Sequence, residues 1–192
     1  MLSLIVLAAG KSTRMHGRNK LLIKVECRPM IRGVVEAGLK SKADEVIVIL
    51  GWEAEKIKKA LEDLPCRLVV NKDYEKGQSS SVKAGLKEVG ETTQAILILP
   101  GDVARIDASS INLVIDEYAR RKGSIIVAAY KSKPGHPILF DRQLFNEVEQ
   151  IDEQSFGLKA VVKKHEEAVR FVEAGSSNVL GDVDTPEDLK RL

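Results

Sequence analysis

Short runs of β-branched and aliphatic residues recur along this chain, each followed by a stretch with helical spacing, and that alternation most constrains the fold. Leu4-Ile5-Val6-Leu7-Ala8, Val46-Ile47-Val48-Ile49-Leu50 and Ala95-Ile96-Leu97-Ile98-Leu99 are apolar at every position. Unbroken apolar runs of this length are the pattern of strands covered on both faces. Arg67 to Val70, Ser124 to Tyr130, Pro137 to Phe140 and Val169 to Val172 read as further strands. Between them, apolar residues fall at helical spacing: Ile31, Val34, Val35 and Leu39; Ile57, Ala60, Leu61 and Leu64 in a helix expected over Glu53 to Leu64; Val82, Leu86 and Val89; Ile111, Val114, Ile115 and Tyr118 from about Asp107. A helical stretch near Leu158 to His165 and a final helix close the chain. Strands alternating with helices predict α/β layers on a largely parallel sheet. The 192 residues contain no repeat, low-complexity block or linker, and one domain usually takes roughly 100–200 residues. The expectation is a single domain over 1–192, three-layer α/β/α.

Lys and Arg number 30 against 28 Asp and Glu, with the signs interspersed, and aromatics make up 4%. A nucleic-acid surface wants concentrated basic charge and stacking aromatics, so none is expected. The apolar start gives way to Gly10-Lys11-Ser12-Thr13-Arg14 before a signal peptide could be completed, and no run approaches the roughly 20 apolar residues of a membrane span. A cytoplasmic protein without a membrane partner is expected. Cys27 and Cys66 form no CxxC pair and read as two buried thiols.

In such sheets ligands gather at the carboxyl ends of the strands, so the segments after the first, third, fourth and sixth strands are expected on one face. The first strand runs into Ala8-Ala9-Gly10-Lys11-Ser12-Thr13-Arg14, where small residues let the backbone approach phosphate oxygens. Arg14 and Lys20 add a planar fork and a mobile point charge. Gly10-Lys11-Ser12 is not the end of a P-loop, because the first glycine of that motif would fall at Ile5, inside the strand. Pro100-Gly101-Asp102 sets a carboxylate just past a buried strand, where one commonly holds Mg²⁺ opposite a phosphate loop. Pro-Gly-Asp is also ordinary turn chemistry; beside the Arg14 and Lys20 loop, the metal role is expected.

Gly77-Gln78-Ser79-Ser80-Ser81 opens a helix with more hydroxyls than an N-cap needs, a seat for a ribose, a base or an anionic group. Gly135-His136-Pro137 offers a lone histidine without triad partners, read as a substrate contact. In Gly181-Asp182-Val183-Asp184, the following Thr185, Pro186 and Asp188 make a complete helix cap. That leaves Asp182 and Asp184 as candidates for a second metal ligand.

Taken in order, Leu7-Ala8-Ala9-Gly10-x-Ser12-x-Arg14-Met15 and Asn19-Lys20-Leu21-Leu22 resemble the signature of the MobA-like nucleotidyltransferases. Gly77-x-Ser79-Ser80-Ser81, Gly135-His136-Pro137-x-Leu139-Phe140 and Asp182-Val183-Asp184-Thr185-Pro186-Glu187-Asp188 resemble the molybdenum cofactor cytidylyltransferase branch, which joins CMP to molybdopterin. The resemblance spans Leu7 to Asp188. It implies a Rossmann-like, GT-A-type mixed sheet with Mg²⁺ as cofactor, and catalytic roles for Arg14, Lys20 and Asp102. The nucleotide would lie on Leu7, Ala8, Ala9, Gly10, Arg14, Lys20, Gly77, Ser79 and Ser80, and the acceptor on Ser81, His136 and Pro137. Asp102 would be the first metal ligand, with Asp184 or Asp182 the second. Its substrates would be a nucleoside triphosphate and a phosphorylated, molybdopterin-type acceptor, with a molybdoenzyme or chaperone as protein partner. Two positions depart from the family: His16 stands where Gly usually follows Arg-Met, and Asp102-Val103-Ala104 replaces Asp-Met-Pro. A guanylyltransferase or other phosphate-acceptor nucleotidyltransferase of the same fold, such as a sugar-phosphate-specific enzyme, a phosphotransferase and a non-catalytic nucleotide-binding protein remain as alternatives.

Overall fold

Every apolar run becomes a strand in the computed structural model, which describes residues 1–15, 17–121 and 123–190. The chain opens with β1 (Leu2–Ala8), forms a small hairpin of β2 (Lys24–Val25) and β3 (Arg28–Pro29), and enters α1 (Met30–Leu39). It continues through β4 (Glu45–Leu50), α2 (Ala54–Leu61), β5 (Arg67–Val70), α3 (Gln78–Glu88), β6 (Ala95–Pro100) and α4 (Ala108–Arg121). Then follow β7 (Ile125–Tyr130), β8 (Lys133–Asp141), α5 (Phe145–Glu149), α6 (Leu158–Lys164), β9 (Val169–Glu173) and α7 (Pro186–Leu189).

Seven strands form one sheet in the order β5-β4-β1-β6-β8-β7-β9. All pairings are parallel except those of β8, which runs antiparallel to both β6 and β7. The sheet is therefore mixed. The antiparallel strand follows from its connection: β7 and β8 are joined by Lys131 and Ser132 alone, and a two-residue loop can only reverse the chain. Both residues have positive φ, 50° and 62°, as do Glu26 and Cys27 in the β2–β3 turn, at 51° and 68°. These are the dihedrals of the primed hairpin turns, made here without glycine.

The apolar runs are unbroken because both faces of the sheet are covered. Leu4, Val6 and Ala8 of β1 pack with Val48, Leu97 and the inner faces of α1, α2 and α4. Ile5 and Leu7 point the other way, to Ile47, Ile98, Val82 of α3, Val148 of α5 and Val161 of α6. Burying each such side chain contributes about 1.5–3 kcal/mol, so the central strands anchor both layers. The helix expected over 53–64 is shorter, because Glu53 adopts a left-handed conformation and the first helical residue is Ala54. Cys27 is exposed in its turn and Cys66 half-buried, both free, which corrects the expectation of buried thiols. Among the described residues no helix is long and apolar enough to cross a membrane.

Candidate active site

The loop after β1 is held from below. The Ala9 carbonyl accepts a hydrogen bond from the Trp52 amide at 3.1 Å, tying the loop to the end of β4. Ser12, at φ 51°, then turns the chain into a short helical turn over Thr13–Met15. Met15 is buried while Arg14 projects outward. The next turn, Lys20–Leu22, is capped by buried Asn19, whose Oδ1 accepts from the Leu21 amide at 3.1 Å. Ser12 Oγ accepts from the Lys20 amide at 3.2 Å. One of the loop's two hydroxyls thus fixes the backbone of Lys20.

At the end of β6 the Gly101 amide donates to the Leu7 carbonyl at 2.8 Å. A Cβ on Gly101 would lie 3.0 Å from that carbonyl and 2.9 Å from Ile31 Cδ1, so glycine permits the close approach that delivers Asp102. Val103, fully buried, pairs with Asp182 in an antiparallel bridge, and the Val183 amide donates to the Asp102 carbonyl at 3.1 Å. This short pairing carries the C-terminal segment to the site. Val183 is buried between Asp182 and Asp184, so the carboxylates flank an apolar anchor. Thr185 and Asp188 form the expected capping box, and the Asp188 carboxylate also accepts from the Asp184 amide at 3.1 Å.

Lys20 Nζ is ion-paired with Asp102 and lies 2.9 Å from Asp184 Oδ1. Arg14 Nη1 reaches Asp184 Oδ2 at 2.8 Å. Burial opposes the charge on Lys20, but the Asp102 and Asp184 carboxylates outweigh it and hold the ammonium above its ordinary pKa. The hydrogen bond from Lys20 lowers the pKa of Asp184. Asp182 behaves oppositely: burial, with Asp102 and Asp184 nearby, pushes its carboxyl up to about 6. His136 is pushed down to about 4 by burial, so near neutral pH it is uncharged. Its Nε2 lies 3.9 Å from Asp182 Oδ2, a contact of a neutral ring with a carboxyl and no hydrogen bond. Asp102 Oδ1 and His136 Nδ1 are buried without a hydrogen-bond partner.

These groups sit at one end of a cleft of about 390 Å³. Of the expected residues, Leu7, Ala9, Gly10, Arg14, Lys20, Gly77, Ser81, Asp102 and Asp184 line it. Ala8 is buried in the sheet and does not. Ser80 turns its hydroxyl back to the Asp73 and Gly77 carbonyls, at 2.9 and 2.8 Å, and Ser79 is buried facing a neighbouring pocket. Asp182, His136 and Pro137 stand beside the cleft without lining it. Because β8 is antiparallel, the segment after it leaves at the opposite end of the strands, and the start of β8 approaches the site instead, contrary to expectation. His16 lies outside the described residues.

Sequence reasoning missed the opposite wall. Tyr74, Glu75 and Gln78 line it, and Lys11 bridges the cleft to Glu75 at 2.6 Å, with its ammonium 5.9 Å from the Tyr74 ring. Their signal was adjacency: Lys11 follows Gly10, and Tyr74 and Glu75 precede the Gly77 motif.

Among the described residues no group of three His, Cys, Asp or Glu side chains is gathered as a metal cage. Asp102 and Asp184 nevertheless converge on one cation, the Lys20 ammonium, and Asp102 keeps an unused buried oxygen. Two carboxylates fit Mg²⁺ or Mn²⁺ where substrate phosphates complete the coordination.

The model of the MobA-like NTP transferase domain matches residues 4–169. Nicotine blue oxidoreductase of Paenarthrobacter nicotinovorans is 27% identical over 98% of this chain and 94% of its own. The bifunctional protein GlmU of Thermotoga maritima is 35% identical over 77% of this chain, which spans only 33% of GlmU. The crystal structure of Rv0371c from Mycobacterium tuberculosis H37Rv superposes with a TM-score of 0.86 at 25% identity, covering 99% of this chain and 96% of its own. That protein is also known in complex with manganese, at a TM-score of 0.83, 25% identity and coverage of 100% and 97%. The family match runs from β1 to the first residue of β9 and takes in both the loop after β1 and Asp102; the chain belongs to the MobA-like NTP transferase domain family.

Proposed function

We propose that this protein transfers a nucleoside monophosphate, CMP, from the triphosphate to a phosphorylated acceptor of the molybdopterin type, releasing pyrophosphate. The observation that carries the reading is the Lys20 ammonium shared by Asp102 and Asp184 at one end of a cleft walled by Ala9 and Gly10. Arg14 and Lys20 bind the triphosphate and neutralise its charge. Asp102 and Asp184 hold Mg²⁺, which supplies Lewis-acid stabilisation of phosphoryl oxygens when bound; the manganese complex of a relative supports a divalent ion.

The acceptor's phosphate oxygen attacks the α-phosphorus in line, the bond from that phosphorus to the bridging oxygen breaks, and pyrophosphate leaves with the electron pair. An acceptor phosphate is largely dianionic at neutral pH, with its second pKa near ~6, so no general base is required. The protein's work is to position two anions that repel and to steady the leaving group. Ala9 selects the base. Its methyl narrows the space beside the backbone, which suits a pyrimidine better than a purine, a difference worth about 1–3 kcal/mol.

The test is pyrophosphate release with each of the four triphosphates and a molybdopterin acceptor, with mass spectrometry of the product. CMP-linked product and a higher kcat/KM for CTP are expected, and Ala9→Gly shifts the preference toward GTP. Better use of GTP by the unmodified protein assigns a guanylyltransferase, and a nucleoside diphosphate product assigns a phosphotransferase. The oxidoreductase name of one relative makes the product, rather than the fold, the deciding observation.

A further inference from the structure

Helix α3 begins without a cap of its own. Its N-cap is Gly77, at φ 100°, which has no side chain to offer the first amides of the helix. The missing acceptor comes from 74 residues away: Glu153, in the loop between α5 and α6, accepts from the Ser79 amide at 2.5 Å. A carboxylate here also answers the positive end of the helix dipole. A Cβ on Gly77 would run into the Glu153 side chain, and one on Gly157 would come within 2.9 Å of Ser79 Oγ, so two glycines let the loop and the helix start press together. Among the described residues the buried Ser79 hydroxyl has no hydrogen-bond partner, which leaves its amide to tie this turn to the loop. The rest of the turn is fixed from the other side. Buried Asn71, just after β5, donates its amide to the Leu50 carbonyl at 2.8 Å, and its Nδ2 donates to Ser80 Oγ and Ser81 Oγ at 2.8 and 3.1 Å. Ser80 and Ser81 are thus anchored to the sheet, whereas Gln78, next to Ser79, depends on Glu153. Gln78 lines both the triphosphate cleft and a smaller pocket behind it, of about 270 Å³; Glu153 lines only the pocket.

We propose that Glu153 is a positioning residue for the nucleotide: by capping α3 through the Ser79 amide, it holds Gln78 against the cleft without touching the nucleotide itself. The role rests on the transferase reading above and adds to it a residue from the far side of the helix. Glu153 acts through its hydrogen bond, so an acceptor oxygen at the right reach matters more than the charge. Arg14, Lys20 and Asp102 stand on the loops after β1 and β6, so a shift at Gln78 leaves the groups around the phosphates in place. Loss of the cap therefore acts on nucleotide affinity and KM rather than on kcat, the signature of an interaction made equally in the ground state and the transition state.

The test compares Glu153→Ala, Glu153→Gln and Glu153→Asp in the intact protein. Affinity for CTP with Mg²⁺ (or for GTP, should the unmodified protein prefer it) is measured by titration calorimetry, beside pyrophosphate release, Tm and amide exchange over residues 78–81. Glu153→Ala should weaken triphosphate binding and raise its KM roughly tenfold, with kcat within about threefold of the unmodified protein. Glutamine keeps an acceptor oxygen at the same reach and should hold affinity within about threefold, whereas aspartate, one methylene shorter, should behave like alanine. Amide exchange at the start of α3 should speed up in the alanine and aspartate variants and stay slow in the glutamine variant. Should Glu153→Ala not fold, the glutamine and aspartate pair decides. Affinity undiminished in Glu153→Ala, rescue by aspartate rather than glutamine, or a lowered Tm with unchanged affinity per folded molecule would each overturn the proposal; the last would make Glu153 a structural cap. Pyrophosphate release separates the two readings. Active transfer with affinity insensitive to Glu153 removes the positioning role alone, whereas Glu153-dependent binding without pyrophosphate from any triphosphate removes the transferase and leaves a nucleotide site with its cap.

Discussion

Lys20 is the residue that allows Asp102 and Asp184 to face each other. Its side chain is 15% exposed and that of Asp102 17%, so neither charge is well served by water. Lys20→Ala leaves a buried carboxylate unpaired, a loss of about 1–3 kcal/mol, and kcat falls with it because the leaving pyrophosphate loses its counter-charge. If the two carboxylates hold a divalent ion, Mn²⁺ or Mg²⁺ should raise the Tm of the variant more than that of the unmodified protein, the ion taking the place of the ammonium. Equal metal-induced shifts in a thermal melt would show that these carboxylates hold Lys20 and nothing else. Asp102→Asn keeps the side-chain volume and loses the charge a hard cation needs. We expect the fold retained by circular dichroism and pyrophosphate release lowered by at least roughly 10²-fold. Turnover within a few-fold of the unmodified protein at limiting Mg²⁺ would return Asp102 to an ordinary turn.

The site depends on how two elements are pressed together, and Gly135 marks the place. A Cβ on this β8 residue would run into the Val179 carbonyl and within 3.0 Å of Leu180 Cδ2, in the helical turn Ser177–Leu180 that leads to Asp182 and Asp184. Gly135→Ala should push that turn away and cost roughly 1–3 kcal/mol, with activity per folded molecule falling too. Gly175→Ala is the control, since a Cβ there meets nothing within 4 Å. Equal melting temperatures and activities for the two variants would count against the close packing. In the sequence, His136 and Pro137 read as substrate contacts. Gly135 serves this packing, and His136, half-buried and uncharged near neutral pH, stands beside Asp182. The parallel strands were legible because burial on both faces leaves Leu4–Ala8 of β1, Val46–Leu50 of β4 and Ala95–Leu99 of β6 apolar at every position. The β2–β3 hairpin and the start of β8 at Lys133 were not, because their turns place Glu26, Cys27, Lys131 and Ser132 at positive φ, where Asn-Gly would have signalled a turn. Within the site, Arg14, Lys20 and Asp102 were readable from the glycine motifs they follow, whereas Tyr74 and Glu75, just ahead of Gly77, were not. The convergence of Asp102 and Asp184 on Lys20 was not, since it depends on the Val103–Asp182 bridge, which joins segments distant in sequence.

Across the whole molecule the cleft occupies one end of the sheet, and the other end is tied by Tyr118. This α4 residue, 4% exposed, donates its hydroxyl to Asp141 Oδ2 at 2.6 Å, with the Gln94 carbonyl at 3.2 Å. It thereby joins α4 to the end of β8 and to the residue preceding β6. Tyr118→Phe removes a charge-assisted bond worth about 1.5–3 kcal/mol at the opposite end of the strands from Lys20. Tm should fall by several degrees, while kcat/KM measured well below the melt stays unchanged. Burial and the Asp141 carboxylate raise the phenol's pKa above its ordinary value. The unfolded chain then loses this proton first, near pH ~10, and above that pH the folded state binds more protons than the unfolded state. Stability contributed by the hydroxyl is complete below pH ~10 and declines as the pH rises. The difference in unfolding free energy between the unmodified protein and Tyr118→Phe should therefore be constant from neutrality to about pH 9 and shrink above it. A difference that grows with alkalinity, measured by denaturant unfolding at fixed ionic strength, would mean that the phenol is not held protonated by its carboxylate.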